Sequence, residues 1–296
     1  MKGNQSLDSK FTAPLSRAFS PVVIQELAKS RKSKLLKAIL EDSGYIRLMD
    51  PKWSLRNCFD AIYSQIEKSY RNEYVYKNTI TQRILLGRHS LNTAAIHSEF
   101  RVSESKADVL MLNGTSHIYE VKSELDGLER IEKQLADYQM FSEYVSVVAS
   151  ANHIDKLQKT IQPSVGIILL TNKRTLSVVR KAISCRDTIS KSVIFDSLRK
   201  SEYMDIVHEI TGDIPKCSNA LMYRECKSVI EGVDTGVFHD LVVKKLKKRD
   251  SSEEKIKLIS SVPNSLKSLA LGSKLSRIQC DNLLLALNNN VEECFI

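Results

Sequence analysis

The segment KADVLMLNGTSHIYEVK, residues 106–122, constrains the fold more than any other stretch of the chain. Two apolar runs flank Asn113-Gly114, and Asn-Gly between such runs signals a hairpin because both residues tolerate left-handed backbone. Runs of Val, Leu, Met, Ile and Tyr belong in core strands. Yet Asp108 stands at the start of the first run, and Glu120 and Lys122 close the second. Burying charge is costly unless it is paired or holds a cation. The length of the turn decides whether these charges meet. A two-residue turn sets Leu112 against Thr115 and Asp108 against Tyr119, so Glu120 points to the other face. A three-residue Asn113-Gly114-Thr115 loop sets Leu112 against Ser116. Asp108 then lies across from Glu120, with Lys122 one pleat further on. A functional role for the trio requires the longer loop.

The hairpin sits in a recognisable run of elements. From Pro21 to Gly44 the apolar spacing predicts two short helices, and Leu55, Phe59, Ile62 and Ile66 predict another over 55–70. A further helix is expected from Glu73 to Leu86, stopped by Gly87. Strands are expected at 96–102, 107–112 and 116–122, followed by an amphipathic helix over 126–143. Short apolar strands at 144–149 and 165–171, linked by a helix near 153–160, read as buried on both faces. Residues 173–182 suggest an edge strand. Beyond residue 184 the pattern is helical, at 190–200, 202–210, 221–230, 237–248 and 275–287. The expected fold is therefore α+β: a mixed sheet of about five strands in an α-β-β-β-α-β order, with helices on both faces. Three regions follow: a helical 1–69 (its first twenty residues polar and loose), a core at 70–183 and a helical 184–296.

Composition narrows the partners. The 296 residues carry a net charge of +9, which favours a polyanion such as nucleic acid. Basic residues crowd Lys29–Lys37, and Lys244, Lys245, Lys247, Lys248 and Arg249 form a second run. Either run is a solvated helix face or a track for a phosphate backbone, the second being the candidate nucleic-acid contact. Residues 264–287 suggest a helical pair packing its own core, with a groove-reading helix-turn-helix as the alternative. The start of the chain lacks the apolar core of a secretory signal, and no apolar stretch is long enough to span a bilayer. The six cysteines include no CxxC pair, so reduced thiols in a cytoplasmic protein are expected. His208, Cys217, Cys226 and His239 are spaced too widely for a zinc knuckle and read as scattered buried residues.

The chemistry of the hairpin follows from its charges. Two carboxylates side by side on covered strands repel each other unless a cation lies between them. Mg²⁺ (or Mn²⁺) suits the gap because it takes one or two carboxylates and keeps several waters. Lys122 can then hold or deprotonate a metal-bound water, and these are the parts needed for phosphodiester hydrolysis. Glu-x-Lys alone is unspecific, since it occurs four times here, beginning at Glu104, Glu120, Glu225 and Glu253. Only the second ends an apolar strand with a partner acid at the right offset. The competing reading is a salt bridge at a surface edge.

Asp108 followed by Glu120-Val121-Lys122 on paired strands resembles the PD-(D/E)XK, or restriction-endonuclease-like, nuclease superfamily. Gln134 and Tyr138, four apart on one helix face, resemble the Q-x-x-x-Y motif of its RecB-like branch. More loosely, the run from Glu99-Phe-Arg-Val to Glu120-Val-Lys-Ser resembles an uncharacterised bacterial family within it. The resemblance covers roughly residues 70–175. It implies Asp108 and Glu120 as metal ligands, the Val121 carbonyl completing the site, and Lys122 orienting or activating the water. It implies DNA cleavage leaving 5′-phosphate and 3′-hydroxyl ends. The superfamily's acid on the helix before the sheet is matched best by Glu73, with Glu99 as competitor. A first hairpin closing through Ser103–Lys106 would pair Val102 with Ala107 and set Glu99 opposite Leu110. Ala107 replaces the motif's proline. A protein that keeps the fold and binds nucleic acid without cutting it is the alternative. Oligomeric state is open, a homodimer included.

Overall fold

The computed structural model describes residues 9–87, 93–249 and 252–295. In chain order the helices are α1 (Ser9–Ser16), α2 (Pro21–Ser30), α3 (Lys34–Asp42), α4 (Leu55–Ser69), α5 (Glu73–Ile80), α6 (Ile131–Gln139), α7 (Ala151–Thr160), α8 (Lys191–Asp196), α9 (Lys200–Thr211), α10 (Met222–Glu231), α11 (Thr235–Lys247), α12 (Glu253–Ser261), α13 (Lys267–Gly272) and α14 (Arg277–Asn288). The strands are β1 (Ala95–Val102), β2 (Ser105–Leu112), β3 (Ser116–Lys122), β4 (Tyr144–Ala149), β5 (Gly166–Leu170) and β6 (Leu176–Arg180). No helix among the described residues is long and apolar enough to cross a membrane.

Two compact units divide the chain, Met1–Ile84 with Asp250–Ile296, and Leu85–Arg249. The boundaries differ from the expected 69/70 and 183/184. Helical periodicity shows which face of a helix is apolar but not which core that face joins, so the last three helices could not be assigned to the first five from pattern alone.

The helical unit begins earlier than expected. Residues 9–16 form α1, and Leu15, Ala18 and Phe19 are buried, so this stretch is anchored. α2 starts at Pro21 because Ser20 caps the Val23 amide and proline suits the first helical position. α4 opens on a capping box between Ser54 and Asn57 and buries Leu55, Cys58, Phe59, Ile62 and Ile66 along one stripe. Beyond α5 the chain winds as a π-helix over Thr81–Leu86.

The other unit is a mixed six-stranded sheet in the order β1-β2-β3-β4-β5-β6. β1, β2 and β3 form an antiparallel meander, and β3, β4 and β5 run parallel. Parallel neighbours need crossovers, supplied by α6 and α7. β6 returns antiparallel to β5 and closes the edge. Leu110, Leu112, Ile118, Val145 and Val147 share one core with α6 and with α8–α11. The helix expected over 126–143 is reduced to Ile131–Gln139. The Asp126 carboxylate accepts from the Ser123 amide at 2.8 Å and its hydroxyl at 2.6 Å, which holds the approach to α6 as a turn.

A candidate active site on strands β2 and β3

The loop between β2 and β3 has three residues. Leu112 pairs with Ser116, the Asn113 amide donates to the Thr115 carbonyl at 3.0 Å, and Gly114 takes φ +72°. A glycine fits that left-handed position without strain. This is the register that brings the hairpin charges together. The regular ladder ends at Val109–Tyr119, and one residue later the Val121 amide donates to Asp108 Oδ2 at 2.8 Å instead. Asp108 is thus fastened to the backbone of the Glu120-Val121-Lys122 run.

Helix α6 supplies the rest. Gln134 and Tyr138, one turn apart, both point at the end of β3. Gln134 Nε2 donates to Glu120 Oε1 at 2.6 Å, and Tyr138 Oη donates to Glu120 Oε2 at 2.9 Å. Lys122 Nζ lies 3.1 Å from Glu120 Oε1 and donates to Gln134 Oε1 at 3.0 Å. Glu120 is 2% exposed and Lys122 9%. Burial drives the Glu120 carboxyl above its usual range, outweighing the opposite pull of Lys122, Tyr138 and Gln134. The Tyr138 phenol is raised as well, first by burial and then by the Glu120 charge. A surface-edge salt bridge has neither this burial nor these donors, so Glu120 and Lys122 are not such a pair.

Glu99 is placed by a shorter turn than the conditional register assumed. Val102 pairs with Ser105, so the hairpin turns at Ser103-Glu104, and Ser98–Val109 and Phe100–Ala107 bracket Glu99 and Asp108. Glu99 therefore stands opposite Asp108, not Leu110. Its own backbone is left-handed, φ +56°, which is uncommon for a residue other than glycine. The inversion breaks the alternation of β1: the His97 and Phe100 rings lie 6.1 Å apart on one side of the strand. A Glu99 carboxylate oxygen comes within 4.8 Å of one from Asp108, and Lys106 Nζ holds Glu99 Oε2 at 2.5 Å. Glu73 belongs to the helical unit, exposed in the first turn of α5 and paired with Lys77.

Asp108, Glu120 and the Val121 carbonyl offer oxygen only, the donor type that a hard divalent cation takes. Ser105 was not foreseen. Its hydroxyl donates to Asp137 Oδ2 at 2.5 Å, tying the start of β2 to α6 between Gln134 and Tyr138. No spacing rule links residues 32 apart in sequence, so only the fold reveals the pair.

The basic run at the end of α11 is largely engaged inside its own unit. Lys244 pairs with Glu209 at 2.6 Å, Lys245 with Asp205, and Arg249 with Glu202, the last pair nearly inaccessible. Arg249 also lies over the Phe100 ring, 5.4 Å from its centroid. Lys247 and Lys248 complete the run. Of the scattered histidines and cysteines, His239 Nε2 meets Ser116 Oγ at 2.7 Å and Cys226 is buried against Met222.

A family model described as Bacteriophage P4 protein cII matches residues 66–270. Protein cII of Enterobacteria phage P4 is 26% identical over 196 residues, covering 63% of this chain and 72% of its own. The SPO1766 protein of unknown function from Silicibacter pomeroyi aligns over 41% of this chain and 82% of its own, with 12% identity and a TM-score of 0.28. That likeness is too slight to carry an argument.

Proposed function

The chain belongs to the bacteriophage P4 protein cII family, and we propose that it is a metal-dependent nuclease that hydrolyses phosphodiester bonds of DNA. One observation carries the reading: Glu120 and Lys122 are buried at the end of β3 in a closed set of bonds with Gln134 and Tyr138, beside Asp108. The pattern supports membership of the PD-(D/E)XK superfamily, whose motifs these residues match. Asp108, Glu120 and the Val121 carbonyl would hold Mg²⁺ or Mn²⁺, which would lower the pKa of a bound water and stabilise charge on the phosphate. Lys122 orients that water or takes its proton. Gln134 and Tyr138 fix the Glu120 carboxylate. Glu99, opposite Asp108, is the acid best placed within the sheet to complete the site.

The test is incubation of the purified protein with single-stranded, duplex and branched DNA, and with RNA, with and without Mg²⁺ or Mn²⁺. Cleavage of DNA only with metal is expected. Lys122→Ala should lower the rate about 10²–10⁴-fold and Asp108→Ala should abolish it, both proteins staying folded by circular dichroism. A Lys122→Ala protein as active as the wild type would sink the assignment. Metal-independent binding without cleavage would favour a nucleic-acid-binding protein that keeps the fold.

A further inference from the structure

Two basic runs stand out in the sequence, and the structure treats them differently. At the end of α11, Lys244, Lys245 and Arg249 are matched by Glu209, Asp205 and Glu202. The other run lies in the helical unit, at the three-residue turn between α2 and α3. There Lys29, Arg31, Lys32 and Lys34 are all exposed. Among the described residues, Lys29, Lys32 and Lys34 form no ion pair. Arg31 Nε donates only to the neutral Asn282 Oδ1, at 2.9 Å.

The acids near this turn are directed elsewhere. Glu26 is turned inward, accepting from Ser33 Oγ at 2.6 Å and from the Leu35 amide at 3.2 Å. Glu41 lies one turn beyond Lys37, 4.0 Å from its amine. Glu292 and Glu293 belong to the closing turn whose Cys294 carbonyl accepts from the Ser33 amide, and neither is ion-paired with the three lysines. The turn itself is stiff. Arg31 closes α2 in the left-handed conformation with its amide on the Leu27 carbonyl, and Ser33 caps the Leu36 amide at 3.0 Å. A braced backbone has little conformational freedom left to lose when an anion docks, so the ordering cost falls on the side chains alone.

We propose that the α2–α3 turn, through Lys29, Arg31, Lys32 and Lys34, is a docking surface for the phosphate backbone of duplex DNA, and that the acid-matched Lys244, Lys245 and Arg249 of the α11 run are not. The proposal rests on the reading of the chain as a DNA-acting protein. Its signature is counterion release: each neutralised phosphate steepens the negative slope of log K against log salt concentration by about 0.9.

The measurement is fluorescence anisotropy of the full chain with a labelled duplex in EDTA, over a salt series, so that cleavage plays no part. Replacing Lys29, Lys32 and Lys34 by alanine together should reduce the slope by about 2.7, three phosphates at about 0.9 each. Lys244→Ala with Lys245→Ala should leave the slope unchanged. A slope that falls with the second pair, or with neither set, overturns the proposal. So does a wild-type protein that ignores duplex DNA, or one that instead binds vesicles of phosphatidylserine in phosphatidylcholine through these lysines. Metal-dependent cleavage with an unchanged slope refutes this surface alone, and the expected slopes without cleavage refute the nuclease alone.

Discussion

His117 shows how burial in this sheet sets the chemistry of a single residue. It sits on β3 with its ring stacked on Tyr119, 4.1 Å between centroids, Nε2 2.9 Å from Ser146 Oγ and Nδ1 3.2 Å from Tyr119 Oη. Burial pushes its pKa from 6.5 down to about 3. The unfolded chain takes up this proton near 6.5, whereas the folded chain refuses it until about 3. Between those values the unfolded state binds more protons, so stability falls as pH falls, by up to about 1.4 kcal/mol per pH unit for one proton. His117→Gln, which cannot titrate, should show a flatter acid limb than wild type between pH 6.5 and 3. Urea denaturation at a series of pH values measures the difference, and parallel curves would reject it. Glu120 runs the other way: its raised carboxyl pKa favours the proton in the folded state, so its contribution to stability falls as pH rises through that raised value.

The β2–β3 loop carries most of the argument among the elements. Its three residues put Asp108 and Glu120 on one side, and Thr115 Oγ1 also donates to Glu143 Oε2 at 2.6 Å. Deleting Thr115 shortens the loop to two residues and slips the register by one, which turns Glu120 away from Gln134 and Tyr138. Cleavage and thermal stability should then be lost together, whereas Thr115→Ser keeps the hydroxyl and should retain both. A deletion variant with wild-type melting temperature and activity would mean that the register does not place the site. The loop length was legible before the structure because it alone reconciled the charges with buried strands. The strands themselves were legible from apolar runs between turn residues. The inverted backbone at Glu99 was not, because no local signal marks a non-glycine residue as left-handed. The shortened α6 was hidden too, since Asp126 reads as a helix residue until its carboxylate is seen to close a turn on Ser123.

For the whole molecule, the discontinuous helical unit is what pattern could not supply. Helix periodicity announced α14, yet its partners are set by the tertiary fold: Asn282 Nδ2 donates to the Ala28 carbonyl of α2, and the Asn289 carbonyl accepts from the Leu55 amide that opens α4. Cys280, Leu283, Ala286 and Leu287 of α14 are buried. The family match spans 66–270, so it takes in the whole sheet unit but only parts of the helical one. Ending the chain at Arg249 would strip α14 from α2 and α4 and uncover part of their apolar surface, the α4 stripe of Leu55, Phe59, Ile62 and Ile66 keeping only its cover from α1 and Phe19. Each such side chain is worth about 1.5–3 kcal/mol when buried, comparable together with the whole stability of a small domain. The truncated protein should therefore lose the cooperative melting of its N-terminal helices while residues 85–249 keep their sheet. Hydrogen exchange read by mass spectrometry separates the two: fast exchange over α2–α4 with protection retained over β2–β5 is expected. Protection of α2–α4 equal to that in the full chain would show that the N-terminal helices fold without the C-terminal ones, and that the ends of the chain do not build one unit.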